Sequence, residues 1–88
     1  MRSISIGNPK PEVSQLAEAC ISALGNVLDT IRPGITADEV ASAGWEGLAS
    51  AEGNFVTHGN FGYAVGAGFP PNWADGTALI QSGVQTRL

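Results

Sequence analysis

In the stretch Phe61-Gly-Tyr-Ala-Val-Gly-Ala-Gly-Phe-Pro-Pro-Asn-Trp-Ala-Asp75, three glycines (Gly62, Gly66, Gly68) fall within seven residues, among aromatic and aliphatic side chains. Glycine inside a strand costs conformational entropy, so its repetition there marks the close approach of another backbone or of a ligand. Pro70 and Pro71 then end any regular ladder and stiffen the exit. The pattern predicts a strand over 62–69 and a loop over 70–76 that line a cavity. A short strand at 77–80 and a turn at Ser82-Gly83 follow.

The residues ahead of this stretch read as helical. Gly7, Pro9 and Pro11 forbid regular helix before Pro11, which itself suits a first-turn position. From there Val13, Leu16, Ala17, Cys20, Leu24, Val27, Leu28 and Ile31 recur at spacings of three and four, which predicts an amphipathic helix over 12–31. On this spacing Cys20 lies on the apolar face, as inert core. Pro33-Gly34 ends the helix, with Arg32 near its negative C-terminal pole. Thr36-Ala-Asp-Glu39 has the form of a capping box. Val40, Ala43, Gly44, Leu48 and Ala51 continue one face of a second helix over 36–52, and Gly53 stops it. The abundance of Ala and Gly on both helices predicts close packing against a sheet.

Composition excludes several functions. The 88 residues allow one small domain at most. The net charge is −4, and the four basic residues Arg2, Lys10, Arg32 and Arg87 are scattered, so there is no electrostatic footprint for nucleic acid. No apolar run reaches the roughly 20 residues of a membrane span. Met-Arg-Ser-Ile-Ser-Ile-Gly lacks the apolar core of a secretory signal. A single cysteine excludes an internal disulfide and a Cys-rich metal site, and fits a reducing, cytoplasmic location.

The run Gly62-Tyr-Ala-Val-Gly-Ala-Gly-Phe-Pro-Pro-Asn-Trp-Ala-Asp75 resembles a motif of the creatinase, aminopeptidase P and Xaa-Pro dipeptidase superfamily, which has the "pita-bread" fold. Metal-dependent members carry a Gly-His-Gly-Ile-Gly type run there, followed by a His-Glu-x-Pro type run. A metal-free, ectoine-hydrolase-like branch carries a Gly-Tyr-Ser-Ile-Gly-x-x-Tyr-Pro-Pro-Asp-Trp-Gly-Glu type run instead. The match to that branch lies at Gly62, Tyr63, Gly66, Pro70, Pro71 and Trp73; Asn72, Ala74 and Asp75 depart from it. The turn Arg32-Pro-Gly-Ile-Thr36 is similar to one common in the family, although it is good helix-turn-helix chemistry in any protein. The resemblance implies a catalytic domain several times longer. The chain is then expected to be a fragment from the middle of that domain, with the polypeptide continuing past Leu88 into strands that supply an acidic residue of the site.

The resemblance also supplies candidate roles. A His shortly before the Gly-Tyr element would face the active site as acid/base, which imidazole suits because its ordinary pKa is near neutrality. Here that residue is His58. His58-Gly-Asn-Phe-Gly-Tyr63 is one residue longer than the family's His-x-x-Gly-[His/Tyr] spacing, and one inserted residue flips a strand side chain unless a bulge absorbs it. The alternative is an exposed loop histidine. Tyr63 stands where metal-dependent members have a ligand His, and a phenol of pKa about 10 is a poor ligand for a divalent metal near neutral pH. It would instead donate a hydrogen bond to substrate; its residue type alone favours a core aromatic. Phe61, Phe69 and Trp73 form an apolar wall in one reading and pack a strand-loop corner in the other. Asp75 is the acidic candidate in the loop. No nucleophile elbow, dinucleotide fingerprint or metal cluster is present.

The expected fold is α+β: two helices packed on one face of a curved, mostly antiparallel sheet, as part (1–88) of a pita-bread domain. The function implied for the full-length parent is hydrolysis of a C–N bond in a small substrate, a short peptide or an ectoine-like solute. His58 is the catalytic residue in this reading, and Tyr63, Phe61, Phe69, Trp73 and Asp75 are substrate-binding. Neither metal nor cofactor is expected, and a homodimer is expected for the full-length protein. The alternative is a non-catalytic remnant that acts as a binding or oligomerisation module through its Gly-rich strand edge.

Overall fold

A computed structural model describes residues 3–51, 53, 55–68 and 74–88, with side chains from 78 onward in the last segment. Its elements are helix α1 (Pro11–Thr30), helix α2 (Ala37–Leu48) with a 3-10 turn at Ala49–Ala51, and strands β1 (Asn60–Val65) and β2 (Ala74–Gln81). The strands pair antiparallel as a two-stranded sheet, and the helices pack on each other and on that hairpin. The α+β class agrees with the sequence; of the two helices it is α2 that makes most of the contact with the strands, while α1 packs mainly on α2.

Pro11 opens α1, where its missing N–H is no loss. The helix gives way to a turn in which Gly34 has φ +90°, and Arg32 Nη1 reaches the carbonyl of Thr30 at 3.5 Å. Thr36 is the N-cap of α2 rather than its first residue, and the capping box is complete. Glu39 N–H donates to Thr36 Oγ1 at 3.2 Å, and Thr36 N–H donates to Glu39 Oε2 at 2.9 Å. Two bonds donated to the ionised Glu39 carboxylate hold its pKa below the ordinary value: that from the Thr36 backbone N–H first, then that from the Thr36 hydroxyl, which donates to Oε2 at 2.8 Å.

The remaining N–H groups at the start of α2 are satisfied by a distant segment. Residues 84–88 run antiparallel to 34–38, so that Ala37 N–H donates to Thr86 O and Asp38 N–H to Val84 O, each at 2.9 Å. Gly34 N–H donates to Leu88 O at 2.8 Å, and Leu88 N–H donates to Ile35 O at 3.0 Å. Gly83 N–H closes the arrangement on Asp38 Oδ1 at 2.6 Å. The free donors of a helix start are thus accounted for.

The helices approach most closely at Gly47. A Cβ there would lie 2.8 Å from the carbonyl carbon of Ser22, and closer still to the Cα and N of Ala23. One core cluster contains Ala19, Ala23, Leu48 and Ala51, and the other Val27, Ile35, Val40, Ala41 and Ile80. Phe61 packs against both.

Four expectations need correction. The buried face of α1 is Ala19, Ala23 and Val27, whereas Val13, Leu24, Leu28 and Ile31 are exposed. That is a rotation of about 80° from the predicted face, at about 100° per residue. Cys20 is exposed, not core. The first strand is Asn60–Val65, so Gly66 and Gly68 follow it and only Gly62 lies within it. Gly59, at φ +78°, turns the chain into β1 earlier than the glycine pattern suggested. The second strand begins at Ala74, so residues 74–76 of the expected loop are strand, and 70–73 lie outside the described residues.

Candidate functional site

The geometry of the candidate site is set by an irregularity in β1. Asn60 and Gly62 face the adjacent residues Gln81 and Ile80, so one residue of β1 is extra: a β-bulge at Phe61. Exposure along Asn60–Val65 follows the bulge. Phe61, Gly62 and Ala64 are half-buried, while Asn60, Tyr63 and Val65 are exposed.

Phe61 and Gly62 therefore both turn toward the helices. The Phe61 ring meets Trp45 edge-on, at 5.3 Å between centroids and 86° between planes. It also covers Gly44, where a Cβ would lie 2.5 Å from the ring. A Cβ on Gly62 would come within 3.1 Å of Ile80 Cδ1, so this position too is closely packed. Trp45 Nε1–H donates to Ser82 Oγ at 3.0 Å, which ties α2 to the turn after β2.

Tyr63 lies on the other face of the hairpin, away from the helices, and is 46% exposed. His58 is exposed in the loop before β1, just ahead of a turn in which Gly59 N–H donates to Thr57 Oγ1 at 3.1 Å. The bulge absorbs one residue between His58 and Tyr63, the number by which their spacing exceeds the family pattern.

The structure thus separates residues that the sequence reading grouped. Phe61 packs the helix side and Tyr63 the open side, so the two do not line one cavity. Phe69 and Trp73 lie outside the described residues. Asp75 is within β2, with its side chain outside the description.

Described residues of the helix side line two grooves. One, of about 300 Å³, is lined by Trp45, Leu48, Ala49, Gly53 and Phe55. The other, of about 250 Å³, is lined by Cys20, Ala23, Leu24, Val27, Leu48, Asn60 and Phe61. Neither described lining includes His58 or Tyr63. Among the described residues no three His, Cys, Asp or Glu side chains come together to hold a metal ion. Among the same residues no helix is long and apolar enough to cross a membrane.

What these features define is an α+β unit in which a helical pair packs, chiefly through α2, on an irregular antiparallel hairpin. Residues 1–85 match the profile of Metallopeptidase family M24, and the chain belongs to that family. It is similar to two proteins of Sinorhizobium fredii (strain NBRC 101917 / NGR234), each described as an uncharacterized hydrolase/peptidase. It is 32% identical to y4tM over 80 residues, which is 91% of this chain and 20% of that protein. It is 30% identical to y4tL over 88 residues, which is all of this chain and 21% of that protein. The chain therefore spans about a fifth of the length of the curated relatives it matches. No solved structure matches it.

Of the side chains that the sequence reading singled out, Tyr63 lies in β1 and His58 in the loop ahead of it, both exposed. The sequence left open whether a bulge would absorb the longer spacing, and the bulge at Phe61 decides the face of Tyr63. Its only sign in the sequence was the extra residue between His58 and Tyr63.

Proposed function

We propose that this chain is part of a longer M24 hydrolase that cleaves a C–N bond in a small substrate, a short peptide or an ectoine-like solute, without a metal bound by this segment. Membership of the family and two relatives described as hydrolase/peptidase support the reaction class. The observation that supports this reading of the site is the bulge in β1, after which Tyr63 is exposed, with His58 just ahead of the strand.

In this reading substrate lies on the open face. The Tyr63 hydroxyl donates a hydrogen bond to a substrate carboxylate or carbonyl and fixes its orientation. His58 takes a proton from the attacking group and returns it to the leaving nitrogen, so the amine departs neutral. Asp75, Phe69 and Trp73 complete the substrate contacts, and a carboxylate from outside these 88 residues completes the catalytic set. Phe61 contributes by holding the strand to the helices.

The test uses the full-length polypeptide. Turnover of Xaa-Pro dipeptides and of cyclic amidine solutes is measured with and without a strong chelator, for the wild type and for His58→Ala. The expected result is chelator-resistant hydrolysis that falls at least about 100-fold in the variant, with its melting temperature unchanged. Full activity in His58→Ala would remove that residue from the mechanism, and chelator-sensitive activity would refute the metal-free reading.

A further inference from the structure

Helix α2 grips both sides of the hairpin. On the β1 side, the Phe61 ring lies over Gly44 and meets Trp45 edge-on. On the β2 side, Trp45 Nε1–H donates to Ser82 Oγ one residue past the strand, and Gly83 N–H donates to Asp38 Oδ1. Trp45 belongs to both grips. Its indole presents a large apolar surface to Phe61 and a donor to Ser82, a combination that Leu and Phe lack.

The register between the strands decides the face of Tyr63. Asn60 pairs with Gln81, and a regular ladder continued from there would set Phe61 opposite Ile80, Gly62 opposite Leu79 and Tyr63 opposite Ala78. The bulge moves the later pairs by one residue, so that Gly62 faces Ile80 and Tyr63 faces Leu79. Ile80 is buried in the core with Val40, so Leu79 and Tyr63 lie on the opposite face. A slip of one residue would reverse this. The regular ladder would also recover pairing that the bulge forgoes, so the bulged register has to be held by contacts outside the ladder.

We propose that Trp45 is a positioning residue for Tyr63. Braced between the Phe61 ring and the Ser82 hydroxyl, it holds β1 against β2 in the bulged register and so sets the phenol where substrate would meet it. The role of Tyr63 rests on the hydrolase reading given above; the hold on the register does not. Removing the indole has two effects. It frees Phe61 and the turn after β2 from each other, and it takes away the bulk that keeps a second ring off the helix side.

The test uses the polypeptide of the complete reading frame, with labelled tyrosine rings and leucine and alanine methyls for NMR, and Tyr63→Phe to assign the Tyr63 ring. In the wild type that ring should show a nuclear Overhauser contact to the Leu79 methyls. In Trp45→Leu, which keeps apolar bulk but has neither ring edge nor donor, the contact should move to Ala78. Trp45→Phe, which keeps a ring for Phe61, should restore it to Leu79. Ser82→Ala, at an exposed turn position where folding is not at risk, removes one grip and should show the Ala78 contact beside the Leu79 one. In turnover of a Xaa-Pro dipeptide, Trp45→Leu should lower kcat/KM at least about 10-fold, and Trp45→Phe should recover most of the loss. In a Tyr63→Phe background the same Trp45→Leu change should cost less than about 2-fold, because Trp45 acts through Tyr63. A Trp45 that merely packs would lower the melting temperature, leave the Leu79 contact in place and give additive losses. An unchanged Leu79 contact in both Trp45→Leu and Ser82→Ala, or additive losses with Tyr63→Phe, would overturn the proposal. A wild type without turnover would sink the hydrolase reading instead, and the NMR contacts would still decide the register.

Discussion

Gly47 and Gly25 both lie in helices, and the same substitution at the two should act with opposite signs. Replacing a helical glycine by alanine stabilises by about 0.5–1 kcal/mol when there is space for the methyl group. At Gly25 there is space: a Cβ would meet nothing within 4 Å. At Gly47 the methyl would be pressed into the backbone of Ser22 and Ala23, which cannot swing aside as the end of a side chain can. Restoring ordinary contact distances of about 3.5 Å or more requires α1 and α2 to part by roughly 1 Å, and a gap of that size forfeits a quarter to a half of each dispersion well across it. The contacts at risk are those of Ala19, Ala23 and Leu48, which form most of one core cluster. Overpacking of this kind costs about 1–3 kcal/mol or more. After the gain in propensity is subtracted, Gly47→Ala should still destabilise, by about 1–2 kcal/mol. For a domain of this size that is a fall of roughly 4–16 °C in melting temperature, against a rise of a few degrees for Gly25→Ala. Thermal unfolding followed by circular dichroism, with urea midpoints as a check, would measure both. A Gly47→Ala protein as stable as Gly25→Ala would show that the helices are not held together at Gly47.

The remaining predictions concern the start of α2. Thr36→Ala removes the hydroxyl that accepts from Glu39 N–H and should cost about 1 kcal/mol in urea denaturation. The Glu39 carboxylate is favoured in the folded state, so its contribution is present above the ordinary carboxylate pKa and is lost as pH falls through its lowered folded value. The stability gap between wild type and Glu39→Ala should therefore be widest near neutrality and close in acid; a gap independent of pH would contradict the capping role. Deleting residues 84–88 strips four backbone hydrogen bonds from 34–38. At about 0.5–1.5 kcal/mol each it should lower stability by at least about 2 kcal/mol, measured by the same denaturation.

The helices were legible because their signals are local. Pro11, the three-and-four spacing and Thr36-x-x-Glu39 each act within a turn or two of chain. The orientation of α1 was not legible for a related reason. A helix with two apolar faces has a mean apolar direction that falls between them, and the sequence reading found that mean. Which face α2 takes is decided by Gly47, whose missing side chain admits the backbone of Ala23. That selection is visible only once both helices are in place. The pairing of 84–88 with 34–38 is hidden for the same reason, since Val84, Thr86 and Leu88 act through backbone carbonyls and amides that any residue but proline could supply.

The candidate site shows how one inserted residue can be accommodated. Without the bulge, alternation from Asn60 would place Tyr63 on the helix side with Phe61 and put Gly62 outward. The helix side has no room for a second aromatic, because Phe61 already covers Gly44 and meets Trp45, and Ile80 fills the space beside Gly62. Two features resolve the conflict together. Doubling the helix-facing position puts the large ring of Phe61 and the empty side of Gly62 on the same face, so only one side chain has to be packed there. The alternation then resumes one residue later, with Tyr63 outward. Gly62 is thus explained by crowding against Ile80, and the exposure of Tyr63 by the packing of Phe61 and Gly62 on the helix side.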